Sequence, residues 1–316
     1  MDEFEVIRRY FSSHTVVRDD VALGIGDDAA LLRVPADMEL AATTDTALPG
    51  VHFPNHLDAA AIGHRALAAN LSDLAAMGAE PAWLLLALTL PRVEEAWLEA
   101  FSNGLMRLAQ QHRAELVGGN IARGPLNITI TAQGLVPKGR ALRRGGAKPG
   151  DRIYVTGHPG DAAAGLKLIL GGQAEKDEEC VLRFTHPAPR VMAGMALRGL
   201  ASACIDISDG LLADLGHILG SSGVGATILT ARLPISKRII ALYGREESEK
   251  LALTGGDDYE LCFTASPGDQ QELERRLVAQ DVPVTCIGSI DLELGLRVME
   301  ASGHGLKIAE TGYKHF

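Results

Sequence analysis

Apolar residues along this chain switch repeatedly between the three-and-four spacing of a helix and the short runs or alternation of a strand, which predicts a mixed α/β protein. Residues 4–11 have helical spacing, and after a polar turn come two short apolar stretches, 29–34 and 40–44, that read as strands. An Ala- and Leu-rich segment over 58–77 predicts a helix, with Asp58 as N-cap, Gly78 as its end and Pro81 just beyond. Residues 83–90 read as a buried strand, 94–112 as a helix, Leu116 as the centre of a short strand and 127–136 as a longer alternating one.

Residues 137–151, PKGRALRRGGAKPGD, have the Gly, Pro and basic composition of a linker. They predict two domains, 1–148 and 149–316, and the chain is long enough for each to bury its own core. The second half alternates again: a strand at 153–156, helices over 162–170 and 191–200, and a strand at 204–207. A helix follows Asp209, and then a strand at 261–264, a helix at 269–279 and a strand at 284–287. No short tandem repeat or low-complexity tract interrupts this order.

Composition narrows the class. Of 316 residues, 47% are hydrophobic, 22% charged and only 4% aromatic, so the core must come from aliphatic side chains, which suits helices laid on strands. The formal charge is −10 and the longest basic run is the pair Arg143 and Arg144, which argues against nucleic acid as a partner. Cys180, Cys204, Cys262 and Cys286 are scattered without a CxxC pair, as expected of a reducing compartment. The longest apolar run, 82–90, is too short for a bilayer, and the N-terminus reads as neither signal nor anchor, so we expect a cytoplasmic protein with no membrane partner.

The aspartates carry the chemistry. Asp27 and Asp28 follow two glycines in ALGIGDDAALL, where the backbone can bend tightly. Asp45 leaves a strand beside Thr43 and Thr44, and we expect that strand to deliver the three together. Asp73 is flanked by Leu71, Leu74, Ala75 and Ala76, where an unpaired carboxylate would cost several kcal/mol by desolvation, so something cationic should meet it. Asp206 and Asp209 stand where an apolar strand ends and a helix begins, with Ser208 between them. Each of these alone is as well explained as a helix cap or Asx-turn. Together, hard oxygen ligands on several loops describe a Mg²⁺ site, and an acidic protein that handles phosphates needs such cations.

Two other phosphate-binding patterns fail. Gly24, Gly26 and Ala29 satisfy GxGxxA with Asp45 downstream, but the following ALLRV reads as a strand where a dinucleotide fold requires a helix. No GxxxxGK[ST] loop occurs anywhere.

GIGDDAALL, TTDT, GVHF, NLSDLAAMGAEPAW, GRALRRGGAKPGD, YVTGHPGDAAAGL, IDISDGLLADL, GGDDYELCF and GYKHF together resemble the thiamine-monophosphate kinase family over nearly the whole chain. The resemblance implies a two-domain α/β (α+β) fold of the aminoimidazole ribonucleotide synthetase type: an N-terminal mixed sheet that pairs in a homodimer, and a C-terminal α/β domain. It implies ATP-dependent phosphorylation of thiamine monophosphate to thiamine diphosphate, with ATP as co-substrate and several Mg²⁺ ions. It further implies Asp28, Thr43, Thr44, Asp45, Asp73, Asp206 and Asp209 as metal ligands. Gly119, Asn120, Arg144 and Ser208 would touch ATP, Arg144 as a phosphate clamp. His52, Asp257 and Tyr313 would lie near thiamine monophosphate.

In the family an aspartate usually follows two glycines where this chain has Gly118, Gly119 and Asn120. Asparagine retains a carbonyl oxygen for the metal and loses the charge, so one ion should be held more weakly. Because the acceptor is itself a phosphate, largely ionised at neutral pH, the reaction needs charge neutralisation and no residue as acid or base. A purine-precursor or selenophosphate synthetase of the same superfamily remains an alternative, as does a non-catalytic metal-binding dimer. The absence of cysteine before Cys180 argues against the selenophosphate type.

Overall fold

The computed structural model describes residues 3–12, 16–300, 302–306 and 312–313. Its contacts divide the chain into two compact units, Met1–Leu74 with Ala79–Gly139, and Ala75–Gly78 with Arg140–Phe316.

The first unit is built on a sheet of β3 (Met38–Ala47), β6 (Asn127–Pro137), β4 (Glu80–Leu90) and β5 (Glu115–Arg123), in that spatial order. The first two pairings are antiparallel and the last is parallel. One face carries Leu84, Leu86, Leu88, Ile128, Ile130 and Ala132, all buried. Helix α2 (Ala59–Ala76) lies on that face, because the Thr43 hydroxyl on β3 reaches Asp73 on the helix. Beside it runs α3 (Glu95–Gln111), at a crossing so close that a Cβ at Gly104 would stand 2.0 Å from the Ala60 carbonyl oxygen.

Helix α2 has the ends its sequence announces. Asp58 Oδ1 accepts from the amides of Ala60 and Ala61 at 2.9 and 3.3 Å. Gly78, at φ +63°, closes it in a Schellman turn, with the Ala79 and Gly78 amides donating to the Leu74 and Ala75 carbonyls. Pro81 lies inside β4, at a register irregularity that tolerates the missing donor.

The opposite face of the sheet is polar and open. Thr44 and Thr131 share a hydroxyl hydrogen bond of 2.7 Å, Thr46 and Thr129 one of 2.8 Å, and Leu85, Ala87 and Asn120 stand exposed beside them. One end of this face is covered where Val21 of β1 (Val21–Leu23) and Leu32 of β2 (Leu31–Leu32) pack against Trp83 and Val117. The 4–11 segment begins as α1 (Glu3–Val6) and continues as a π-helix, Ile7–Ser12.

The second unit holds a six-stranded sheet. Its order is β12 (Gly295–Met299), β9 (Gly225–Leu229), β11 (Val284–Asp291), β7 (Arg152–Thr156), β10 (Glu260–Ala265) and β8 (Ala201–Ile207). Every pairing is antiparallel except β12 with β9. On one face Val155, Ile205, Ile207, Ile228 and Cys262 form a core with Leu211, Leu215 and Ile218 of α7 (Leu211–Ser222). A second cluster joins α4 (Asp161–Leu170), α5 (Glu178–Thr185) and α8 (Lys237–Thr254) through Leu168, Cys180 and Ile239. Helices α6 (Val191–Ala196) and α9 (Gln270–Val278) complete the unit.

Four of these elements escaped the periodicity: α5, α8, β9 and β12. Helix α8 breaks its own pattern, since Gly244 at φ 76° and ψ 171° kinks it, and a charged run, REESEK, follows the kink. Helix α6 ends at Ala196, shorter than 191–200 suggested.

Candidate active site

Strand alternation sorts the TTDT segment. Thr43 and Asp45 face α2, and the Thr43 hydroxyl donates to Asp73 Oδ2 at 2.5 Å. The Asp45 carboxyl, half-buried and facing that of Asp73, is pushed up to about 6 from its ordinary 3.8, first by burial and then by the Asp73 charge and a hydrogen bond to it. Thr44 differs from the expectation that all three side chains would be delivered together: its hydroxyl turns to the open face and bonds Thr131. Asn120 is on the open face as well, at the far edge of the sheet, in register with Ala87, which is in register with Thr129. Its neighbour Gly119, at φ +152°, admits no side chain, for a Cβ there would stand 1.9 Å from the Leu86 carbonyl oxygen. Asp28 is exposed, its amide donating to Asp27 Oδ1 at 2.8 Å.

After β3 the chain turns tightly at Gly50, and His52 is held at three points. Its amide donates to the Leu48 carbonyl at 2.9 Å, its carbonyl accepts from Arg65 Nη2 at 3.2 Å, and its ring Nδ1 accepts the Leu48 amide at 3.1 Å. In this contact Nδ1 is the acceptor.

In the second unit Ser208, Asp209, Asp257 and Tyr313 come together. The Ser208 carbonyl accepts the Asp257 amide at 2.9 Å, and the Asp209 carbonyl accepts the Tyr313 amide at 3.0 Å. Asp257 and Tyr259 both adopt positive φ, +67° and +50°, an unusual backbone for such residues that concentrates at functional turns. Asp206 is buried on β8, two residues before the turn. Arg144 is exposed on a stretch that runs beside β8, where the Arg143 carbonyl accepts the Cys204 amide at 2.8 Å.

Two aspartates that the sequence did not single out organise these turns. Asp214 Oδ2 accepts the amides of Ser208, Asp209 and Gly210 at 3.1, 3.1 and 3.0 Å. Burial pushes its carboxyl up to about 6 in spite of those donors. Asp258, also raised by burial, accepts the Gly160 and Ala162 amides at 2.8 and 3.3 Å and so occupies the N-terminus of α4. The GHPGD turn is therefore plugged by the protein's own carboxyl and holds no open anion site at that helix end. Their signal in the sequence was a second acid in SDGLLAD and in GGDD, which reads equally well as helix polarity.

Among the described residues, no three His, Cys, Asp or Glu side chains gather closely enough to hold a metal ion. The Asp45 and Asp73 carboxyls with the Thr43 hydroxyl nonetheless fit Mg²⁺, which is usually held by one or two carboxylates while water and substrate phosphates complete its shell. Two carboxyls in hydrogen-bond contact need either a shared proton or a cation between them.

Comparison with known proteins identifies relatives over nearly the whole chain. Residues 26–136 match the N-terminal domain, and residues 148–299 the C-terminal domain, of AIR synthase related protein. The thiamine-monophosphate kinase of Escherichia coli K12 is 48% identical over 99% of this chain and 98% of its own length. The crystal structure of thiamine-monophosphate kinase from Stenotrophomonas maltophilia K279a superposes with a TM-score of 0.89 at 47% identity, covering 95% of this chain and 97% of that one. AaThiL complexed with AMPPCP and TMP follows with a TM-score of 0.79 at 34% identity over 92% of each chain. Matched along nearly all its length by such relatives, the chain belongs to the thiamine-monophosphate kinase family.

Proposed function

We propose that this protein transfers the γ-phosphoryl group of ATP to the phosphate of thiamine monophosphate, giving ADP and thiamine diphosphate by direct in-line displacement. The observation that carries the proposal, beyond family membership, is the Asp45 and Asp73 pair, two acids that the fold presses together where only a cation or a proton relieves them.

When bound there, Mg²⁺ would supply neutralisation of phosphate charge between two anionic reactants. Thr43, Asp45 and Asp73 would hold one ion on one face of β3; Asp28, Thr44 and Asn120 are the further oxygen donors assigned to the first unit, and Asp206 and Asp209 those assigned to the second. For the nucleotide, Gly119 and Asn120 are assigned in the first unit, where the bare backbone at Gly119 permits close approach; Ser208 and Arg144 are assigned in the second, Arg144 as a clamp whose paired N–H donors suit a phosphate. For the acceptor, His52 is assigned in the first unit, and Asp257 and Tyr313 in the second. No residue need remove a proton, since the attacking phosphate oxygen is already ionised near neutral pH.

The ligands assigned to the sheet stand at its two edges, Thr44 on β3 and Asn120 on β5, three strand spacings or roughly 14 Å apart. One copy cannot join both to one ion. The open, threonine-rich face supports pairing of two sheets in a homodimer that completes the site. No helix among the described residues is long and apolar enough to cross a membrane, and a cytoplasmic role suits the four unpaired cysteines.

Incubation with ATP, Mg²⁺ and thiamine monophosphate tests the proposal: thiamine diphosphate and ADP should appear in equal amounts, with no label from γ-labelled ATP retained on the protein. Absence of thiamine diphosphate overturns the activity, and a trapped phosphoprotein overturns the direct route.

A further inference from the structure

The turn at Ser208, Asp209 and Gly210 has its backbone fixed from both sides. All three amides point into one carboxylate oxygen of Asp214, itself buried at 2% exposure in the first turn of α7. The two carbonyls on the other side are taken by amides from distant segments, Asp257 and Tyr313. Neither contact would form with ordinary side chains nearby. A Cβ at Gly256 would stand 2.5 Å from the Ser208 carbonyl oxygen, and one at Gly312 would stand 2.6 Å from that of Asp209. At 210, with φ +130°, only glycine fits, because the Thr254 carbonyl oxygen would meet any Cβ there at 2.8 Å. Gly256 and Gly312 thus let the amides of Asp257 and Tyr313 reach the carbonyls of this turn.

We propose that Asp214 is a positioning residue for both substrates at once. Its carboxylate registers the turn that presents Ser208 and Asp209, and the turn's carbonyls pass that registration to Asp257 and Tyr313. The proposal rests on the assignment of Ser208 and Asp209 to ATP and its metal, and of Asp257 and Tyr313 to thiamine monophosphate. A carboxylate accepting three amides at once is a strong, orienting contact.

The test compares full-length wild type with Asp214→Leu, which keeps the bulk and loses the acceptor, and Asp214→Asn, which keeps an oxygen in place. For Asp214→Leu that folds by circular dichroism, KM for ATP and for thiamine monophosphate should both rise by about tenfold or more, with Asp214→Asn recovering most of the loss. A purely structural role would lower the amount of active enzyme and leave both KM values alone, so values within about twofold of wild type overturn the proposal. Amide hydrogen exchange of the wild type gives a second reading independent of any variant's folding. The 208–210 amides should be strongly protected, and exchange at exposed-loop rates overturns it. An inactive wild type would instead sink the kinase assignment, which the exchange measurement does not depend on.

Discussion

Replacing Asp73 by asparagine should stabilise the free protein while crippling its response to Mg²⁺ and nucleotide. The Thr43 hydroxyl can still donate to the amide oxygen, so the local hydrogen bond survives and only the charge is lost. The size of the effect follows from Asp45. Its carboxyl rises from 3.8 to about 6, a shift of 2.2, and at 1.36 kcal/mol per unit this is about 3 kcal/mol of penalty on the ionised form. Burial is the larger cause and remains in the variant, so removing the neighbouring charge should return about 1 kcal/mol.

The sign follows from linkage. A carboxyl whose folded pKa lies above its unfolded value costs the fold nothing below the unfolded pKa, and its penalty is complete above the folded one. Asp73→Asn should therefore melt above wild type by about 1–2 °C at pH 8 in chelator, and the gap should close as pH falls from 6 towards 3.8. In saturating Mg²⁺ and AMPPCP the order should reverse, because wild type gains binding free energy that the variant lacks. Calorimetry under the three conditions reads this directly. If the variant melts at or below wild type at pH 8 in chelator, the two carboxyls do not oppose each other and the cation site argued from them loses its basis.

Asn120→Asp adds a carboxylate where only a carbonyl oxygen is now available, and it should lower the Mg²⁺ concentration for half-maximal activity; an unchanged or raised requirement removes Asn120 from the donor set. His112, at the end of α3, has its imidazole held below the ordinary 6.5 by burial, so the folded state binds fewer protons than the unfolded one and stability should fall as pH drops through that window. His112→Gln should flatten the acid side of the melting-temperature profile, and an unchanged slope between pH 7 and 5 would assign that acid sensitivity elsewhere.

What the sequence disclosed and what it hid divide along the range of the interaction. Helix α2 was legible because Asp58 and Gly78 act on backbone groups within a few residues of themselves. Asp73 was legible because its neighbours in sequence are apolar, so its charge had to be answered from outside. In place of the expected cation it meets a hydroxyl, Thr43, and a second acid, Asp45; that Thr44 is not among them is written in the chain, since adjacent strand residues point to opposite faces. Strand order was hidden, because β9 and β12 are brief runs whose pairing depends on distant partners. Asp258 meets amides 98 and 96 residues away. Asp214 was hidden for a different reason: its acceptor role falls on amides of the turn just before it, and amides have no letter in a sequence. The carboxylates that touch ligand charge advertise themselves by unsuitable surroundings, whereas those that aim backbone resemble ordinary first-turn acids and emerge only when every buried donor is traced to its acceptor.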